Sequence, residues 1–174
     1  MDNGFRIKTT LPAEPKAIYK AWLSGAEHTA MTGGAATASA EVGGRFTAWD
    51  GYISGRNVSL KPHWCIVQFW RTTQFSPGDP DSRLELCIHP KGGGSEVLLI
   101  HTGIPADQLE GYRSGWVDHY FEPMKKYFAA RKPAKRPAKR TAKTKTTSKK
   151  KVAKKRAAKK KTAKRRTPRR RRRR

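Results

Sequence analysis

With 174 residues and a formal net charge of +26, the chain is long enough for one globular domain, but its charge is too unevenly spread for all of it to belong to one. Residues 131–174 hold 26 Lys or Arg and no Asp or Glu, whereas residues 1–130 hold 13 basic and 13 acidic residues and every Trp, Tyr and Phe. No run approaches the roughly 18 apolar residues of a membrane span, and the opening MDNGFRIKTT lacks a signal-peptide core, so the expectation is a soluble, cytoplasmic protein with a folded domain at 1–130 and a disordered basic tail at 131–174.

Phe5, Ile7 and Thr9 alternate with Arg6, Lys8 and Thr10, the period of a half-buried strand. Pro15 suits the first turn of a helix whose apolar face is Ile18, Ala21 and Trp22. A short second helix fits within 24–35 and ends at Gly33 and Gly34, where glycine can supply a left-handed cap. From 37 to 102 the pattern is an antiparallel meander. RFTAW leads to Asp50 and Gly51, read as a two-residue hairpin turn before YISGRNVSL. The strongly apolar WCIVQFWR, the long turn TTQFSPGDPD, and SRLELCIH with Leu84, Leu86 and Ile88 inward follow; a glycine turn at 92–94 then introduces SEVLLIHTG. Cys65 and Cys87 both fall in strands and are expected as small hydrophobes in a reducing compartment, with a bridge across a hairpin as the less favoured alternative.

The chain then reads as one long amphipathic helix over 107–131. Leu109, Tyr112, Trp116, Tyr120, Met124 and Phe128 share one face, Asp107 caps the start with Glu110 as capping-box partner, and Pro123 bends the helix. A strand, two short helices, five or six strands and a long helix make an α+β order.

AMTGGAATAS, GGRFTAWDGYISGRN, IVQFWRT, the serine of DPDSRLEL, and HTGIP followed by YRSGW and YFEPMKKYF resemble the activator-of-heat-shock-protein-90-ATPase homologue family, within the START-like superfamily also labelled SRPBCC. The resemblance runs in order from about Phe5 to Phe128. It implies a helix-grip fold, a curved antiparallel sheet wrapped around the C-terminal helix, with a cavity that in many relatives takes apolar ligands. It also implies a heat-shock chaperone as candidate partner. Where the family often has Trp before Thr-Gly, this chain has Met31.

Trp22, Phe46, His101, Tyr112, Trp116 and Tyr120 are the candidate cavity residues. His101 follows Val97 and Leu99 on one strand face, and an imidazole beside tyrosines in an apolar pocket can orient a ligand or move a proton; the same pattern fits a hydrogen-bonded core histidine among packing aromatics. No nucleophile motif or paired carboxylate stands out, so a binding protein is expected, with a small hydrolase or cyclase using His101 as a rival. His28, His63, His89, His101 and His119 lack the spacing of a ligand pair, and no metal or cofactor is expected. The glycine clusters are read as turns rather than phosphate loops, and Arg71 as a solvated edge charge, with a pair to an acidic partner as the alternative.

The tail repeats KPAKRPAKRTAK and then KKKVA, KKRAA, KKKTA and KRRTP before six arginines. Cations at that density point in all directions if helical, unlike a membrane-lying helix, and suit a polyanion approached from any side. The candidate nucleic-acid contacts are Lys135, Arg136, Lys139, Arg140, Lys149, Lys150, Lys151, Lys154, Lys155, Arg156, Lys159, Lys160, Lys161, Lys164, Arg165, Arg166, Arg169, Arg170, Arg171, Arg172, Arg173 and Arg174. With no aromatic residue the tail has no stacking platform, so binding is expected to be blind to sequence, to DNA ahead of RNA, in the manner of histone-like tails and at the nucleoid in a bacterial cell.

Overall fold

The computed structural model describes residues 3–131. The tail contacts named above, from Lys135 onward, lie outside the described residues. Strand β1 (Gly4–Leu11) buries Phe5, Thr9 and Leu11 and exposes the residues between them, except for half-buried Ile7. Helix α1 (Pro15–Trp22) starts at Pro15, where the absent N–H has no intrahelical partner to lose, and buries Ile18, Tyr19, Ala21 and Trp22. In α2 (Gly25–Thr32) the Ser24 hydroxyl accepts from the Glu27 N–H at 3.4 Å, and Gly33 ends the helix in the left-handed region at φ 91°.

Five further strands follow, β2 (Arg45–Ala48), β3 (Ile53–Lys61), β4 (Cys65–Thr72), β5 (Ser82–Lys91) and β6 (Gly94–Thr102). They form a meander, and β1 returns to pair with β6, so the sheet has the order β1-β6-β5-β4-β3-β2 with every pair antiparallel. One face is apolar because of the period-two alternation: Leu84, Leu86 and Ile88 on β5 and Val97 and Leu99 on β6 are all fully buried. The C-terminal helix and α1 lie on that face and bury Ile18, Trp22, Trp116, Tyr120, Met124 and Phe128 in the same cluster. This is an α+β helix-grip fold. A buried polar chain ties the loop before β2 to the sheet: Trp22 Nε1 donates to Gln68 Oε1, Gln68 Nε2 to Asn57 Oδ1, and Asn57 Nδ2 to the carbonyls of Ser39 and Glu41.

Four expectations are corrected by the structure. The β2–β3 connection is not a two-residue hairpin, because Ala48 pairs with Ile53 and four residues, 49–52, make the turn. Trp49, Asp50 and Gly51 all have positive φ there, a run of left-handed residues that only a longer loop accommodates. Asp107 does not cap the C-terminal helix. It lies in a 3-10 turn (Ala106–Gln108), and the residue preceding α3 (Leu109–Trp116) is Gln108, which makes no side-chain cap. The long helix is not one uninterrupted α-helix either: a π-helical turn (Val117–Phe121) separates α3 from α4 (Glu122–Ala130). Pro123 removes a backbone donor just beyond this turn, and the wider turn absorbs the mismatch. It also brings both Tyr120 and Phe121 inward, so Phe121 joins the core although it falls off the 3.6-residue face.

The fourth correction concerns Cys65 and Cys87, which are bonded to each other rather than free. They are register partners on β4 and β5, with Cα atoms 4.1 Å apart, so sheet pairing alone brings the two sulfurs together. Arg71 is more than a solvated charge: it pairs with Asp81 at 3.1 Å and donates to the Ser76 carbonyl at 3.1 Å, bracing the long β4–β5 turn.

Candidate functional site

A cleft of about 660 Å³ opens between the start of the C-terminal helix and the β2–β3 end of the sheet. Its walls are aromatic, with Trp49 from the β2–β3 turn, Trp70 from β4, and Tyr112, Trp116 and Tyr120 from the helix. Local chemistry puts each of them there. Trp49 lies against Gly34, where a Cβ would come within 2.8 Å of the indole ring, so the glycine after α2 is what lets that ring lie flat. Trp70 faces inward on the same strand face as Gln68 and Thr72, alternating with Phe69 and Arg71. Gly111 and Gly115 open the helix side of the cleft, and a Cβ at Gly111 would meet nothing within 4 Å.

The rim is polar: Asp107, Asp118 and His119 line it, and Tyr52, Gln74, Gln108 and Tyr112 bond to one another. Tyr52 donates to Gln74 Oε1 at 3.0 Å, Gln108 Nε2 donates to the Gln74 carbonyl at 3.1 Å, and Tyr112 donates to Gln108 Oε1 at 2.5 Å. Because the Tyr112 proton is committed to Gln108, the Thr72 hydroxyl 2.6 Å away is the donor to Tyr112. Burial pushes the Tyr112 phenol up to about 12, and desolvation raises Tyr120 as well. Both phenols are therefore neutral at physiological pH.

His101 does not line this cleft. It is fully buried beneath it, edge-on to Trp70 at 4.7 Å between ring centroids. The Trp116 indole N–H donates to His101 Nδ1 at 3.1 Å, and an indole can only donate. That assigns the His101 proton to Nε2, which donates to Ser82 Oγ at 2.8 Å, and Ser82 passes its own proton to the Trp70 carbonyl at 2.6 Å. Each hydrogen-bonding group of the chain has a partner, and desolvation holds the imidazole at about 3. His101 is a neutral structural node, the second of the two readings its sequence position allowed.

This has a consequence for acid stability. The folded pKa is depressed from an ordinary 6.5 to about 3, so between those values the unfolded chain binds a proton that the folded one does not. The stabilisation is complete above pH 6.5 and is lost as pH falls below it, by about 2 kcal/mol from His101 alone at pH 5. His28 contributes with the same sign, because burial lowers it too. The urea midpoint should fall clearly between pH 7 and pH 5 and fall less in His101→Gln; equal midpoints at the two pH values would contradict the buried-neutral assignment.

Of the six candidate residues, Tyr112, Trp116 and Tyr120 line the cleft, while Trp22 and Phe46 line a separate void of only about 10 Å³, which Tyr120 and Trp70 also border. His28 borders that void, with Nδ1 donating to the Trp22 carbonyl at 3.1 Å and Nε2 without a partner. Sequence reasoning missed Trp49, Tyr52, Trp70 and Gln74. Trp49 and Tyr52 flank the Asp-Gly turn and Trp70 shares a strand face with Gln68, signals of a turn and a strand that say nothing of the helix opposite. Among the described residues one group of metal-ligating types is close-set, Cys65, Glu85 and Cys87, and its sulfurs are bonded to each other and offer no thiolate. No described helix is long and apolar enough to cross a membrane.

A six-stranded antiparallel sheet closed over a C-terminal helix, with an aromatic cleft at the helix start, defines a helix-grip domain of the START-like class. The chain belongs to the family of Activator of Hsp90 ATPase homolog 1-like proteins, whose family model matches residues 12–129. It is 33% identical over 122 residues to the activator of 90 kDa heat shock protein ATPase homolog 1 of Homo sapiens, covering 70% of this chain and 36% of the relative. The Dictyostelium discoideum activator homolog is 29% identical over 125 residues, covering 71% of this chain and 32% of the relative. The chain thus spans about a third of the length of these relatives. In fold it is similar to the crystal structure of an HSP90 activator from Plasmodium falciparum, with a TM-score of 0.64 and 23% identity, over 68% of this chain and 91% of that one.

Proposed function

We propose that this chain is a binding protein rather than an enzyme: the helix-grip domain holds an apolar, ring-bearing ligand or partner segment in the cleft, and residues 131–174 tether it to nucleic acid. The observation that carries the first half is the cleft itself. Its volume is within the range of small-molecule sites, roughly 300–1,000 Å³, and its five aromatic walls favour burial of apolar rings, with Asp107, Asp118 and His119 at the polar edge. The rival hydrolase or cyclase reading needs His101 to reach a substrate, and His101 is sealed below the cleft with its proton committed to Ser82. The tether rests on the 26 cations of the tail, unopposed by any carboxylate.

Filling the cleft tests the first half. Gly111→Leu places a side chain into open cleft space on a helix where glycine costs about 1 kcal/mol. Titrated with 2-naphthol and read by tryptophan fluorescence, the parent should saturate, and the variant should bind at least tenfold more weakly while melting at a higher temperature. Unchanged affinity in a folded Gly111→Leu would place the probe elsewhere and end the cleft assignment. The tether is tested by duplex DNA binding across a salt titration. If about ten tail cations meet phosphates, log K falls with log salt at a slope near −9, and a chain ending at Ala130 loses that term.

A second reading, a chaperone accessory factor, is favoured by family membership and by relatives named as activators of the 90 kDa heat shock protein ATPase. It predicts that the purified chain raises the turnover of an Hsp90-type ATPase. No change at saturating chain would remove it.

A further inference from the structure

The outer face of the sheet, turned away from the helices, has a charge pattern that the balanced composition of residues 1–130 hides. In the strand register Arg45 is beside Arg56, Arg56 beside Phe69, and Phe69 beside Arg83, so one row across β2, β3, β4 and β5 reads Arg, Arg, Phe, Arg. At about 4.8 Å per strand the row spans roughly 14 Å. All three arginines are exposed. Phe69 is half-buried and outside the core cluster, and the Arg56 guanidinium is 4.8 Å from the centre of its ring.

Arg83 pairs with Glu85 at 3.1 Å across an exposed surface, while among the described residues neither Arg45 nor Arg56 has a carboxylate partner. Like charges directly opposite on adjacent strands are unfavourable, and Arg45 faces Arg56 in that relation. Arg6, Lys8 and Lys61 extend the same face, against Glu85 and Glu96. The fold thus keeps apposed cations around an aromatic ring that the core does not use. That combination matches a ligand carrying both negative charge and flat rings. An acidic peptide would satisfy the arginines but carries a ring only where an aromatic residue falls in it; a nucleic acid strand presents a flat base with every phosphate.

We propose that this row is a docking platform for single-stranded nucleic acid, with phosphates held by Arg45, Arg56 and Arg83 and a base stacked on the Arg56–Phe69 pair. The proposal rests on the nucleic-acid reading of the tail to bring a strand to the domain, and supplies the stacking surface that the tail lacks.

The test uses the full chain and a single-stranded oligodeoxynucleotide carrying 5-bromodeoxyuridine, irradiated and mapped by mass spectrometry, beside a salt titration of affinity. Crosslinks are expected on the β4 segment at Phe69, and Arg45→Gln/Arg56→Gln should abolish them and make the log-log salt slope shallower by about 1.4, two single-strand phosphates. Crosslinks confined to residues 132–174, with the slope unchanged in the double variant, would overturn the platform and leave the tether standing. Absence of any binding at low salt would overturn both. If polyglutamate competes for the Phe69 crosslink as well as an oligonucleotide of equal charge, stacking plays no part and the face is a site for acidic protein, which also overturns the proposal.

Discussion

Replacing His101 with alanine is expected to lower the unfolding free energy by about 3–5 kcal/mol, the largest effect of any single substitution considered for this protein. Two costs combine. Trp116 Nε1–H is buried against His101 Nδ1 and would lose its acceptor, leaving an unpaired donor that costs about 1–3 kcal/mol. The imidazole also packs edge-on to Phe5, Trp70 and Trp116, and removing a fully buried ring from such a setting leaves a void worth a further ~2 kcal/mol or more. Urea titration followed by tryptophan fluorescence reads the difference. A variant within about 1 kcal/mol of the parent would mean that the Trp116–His101–Ser82–Trp70 chain does not hold the helix to the sheet. The same experiment separates roles, since a catalytic His101 predicts a stable, inactive variant and a structural one predicts a destabilised fold.

Reduction of the Cys65–Cys87 bridge should lower stability by about 3 kcal/mol. The bridge closes a loop across 22 positions, and the chain-entropy relation for a loop of that length predicts a loss of this order when the denatured ensemble is released. The sheet should survive, because Cys65 and Cys87 remain register neighbours within a ladder that their sulfurs do not build. Unfolding curves with and without reductant measure the loss, and Cys65→Ala/Cys87→Ala should match the reduced protein and ignore reductant. Two titratable thiols in the untreated native chain would refute the pairing.

The element order, the inward residues of β5 and β6, and the two glycine-bounded turns at 33–34 and 92–94 were legible because each depends on neighbours two to four positions away in the chain. The same locality explains the misses. Asp107 has the residue type and spacing of a cap, yet the chain enters the helix through a 3-10 turn that begins at Ala106. Phe121 is off the 3.6-residue face, and only the π turn ahead of Pro123 brings it into the core. For the cleft, Tyr112, Trp116 and Tyr120 could be read from the helix face, whereas Trp49, Tyr52 and Trp70 depend on which end of the sheet the helix start meets.

By itself the sequence determined the α+β order and the segregation of 26 cations into the last 44 residues, since composition and periodicity are properties of local stretches, and its motifs carried the family resemblance. Tertiary structure alone decided that Cys65 reaches Cys87, that His101 is locked between Trp116 and Ser82, and that Arg45, Arg56 and Arg83 form one row around Phe69. Each of these depends on the register between strands or the docking of a helix on a sheet, which joins residues 11 to 38 positions apart and leaves no periodic trace in either segment.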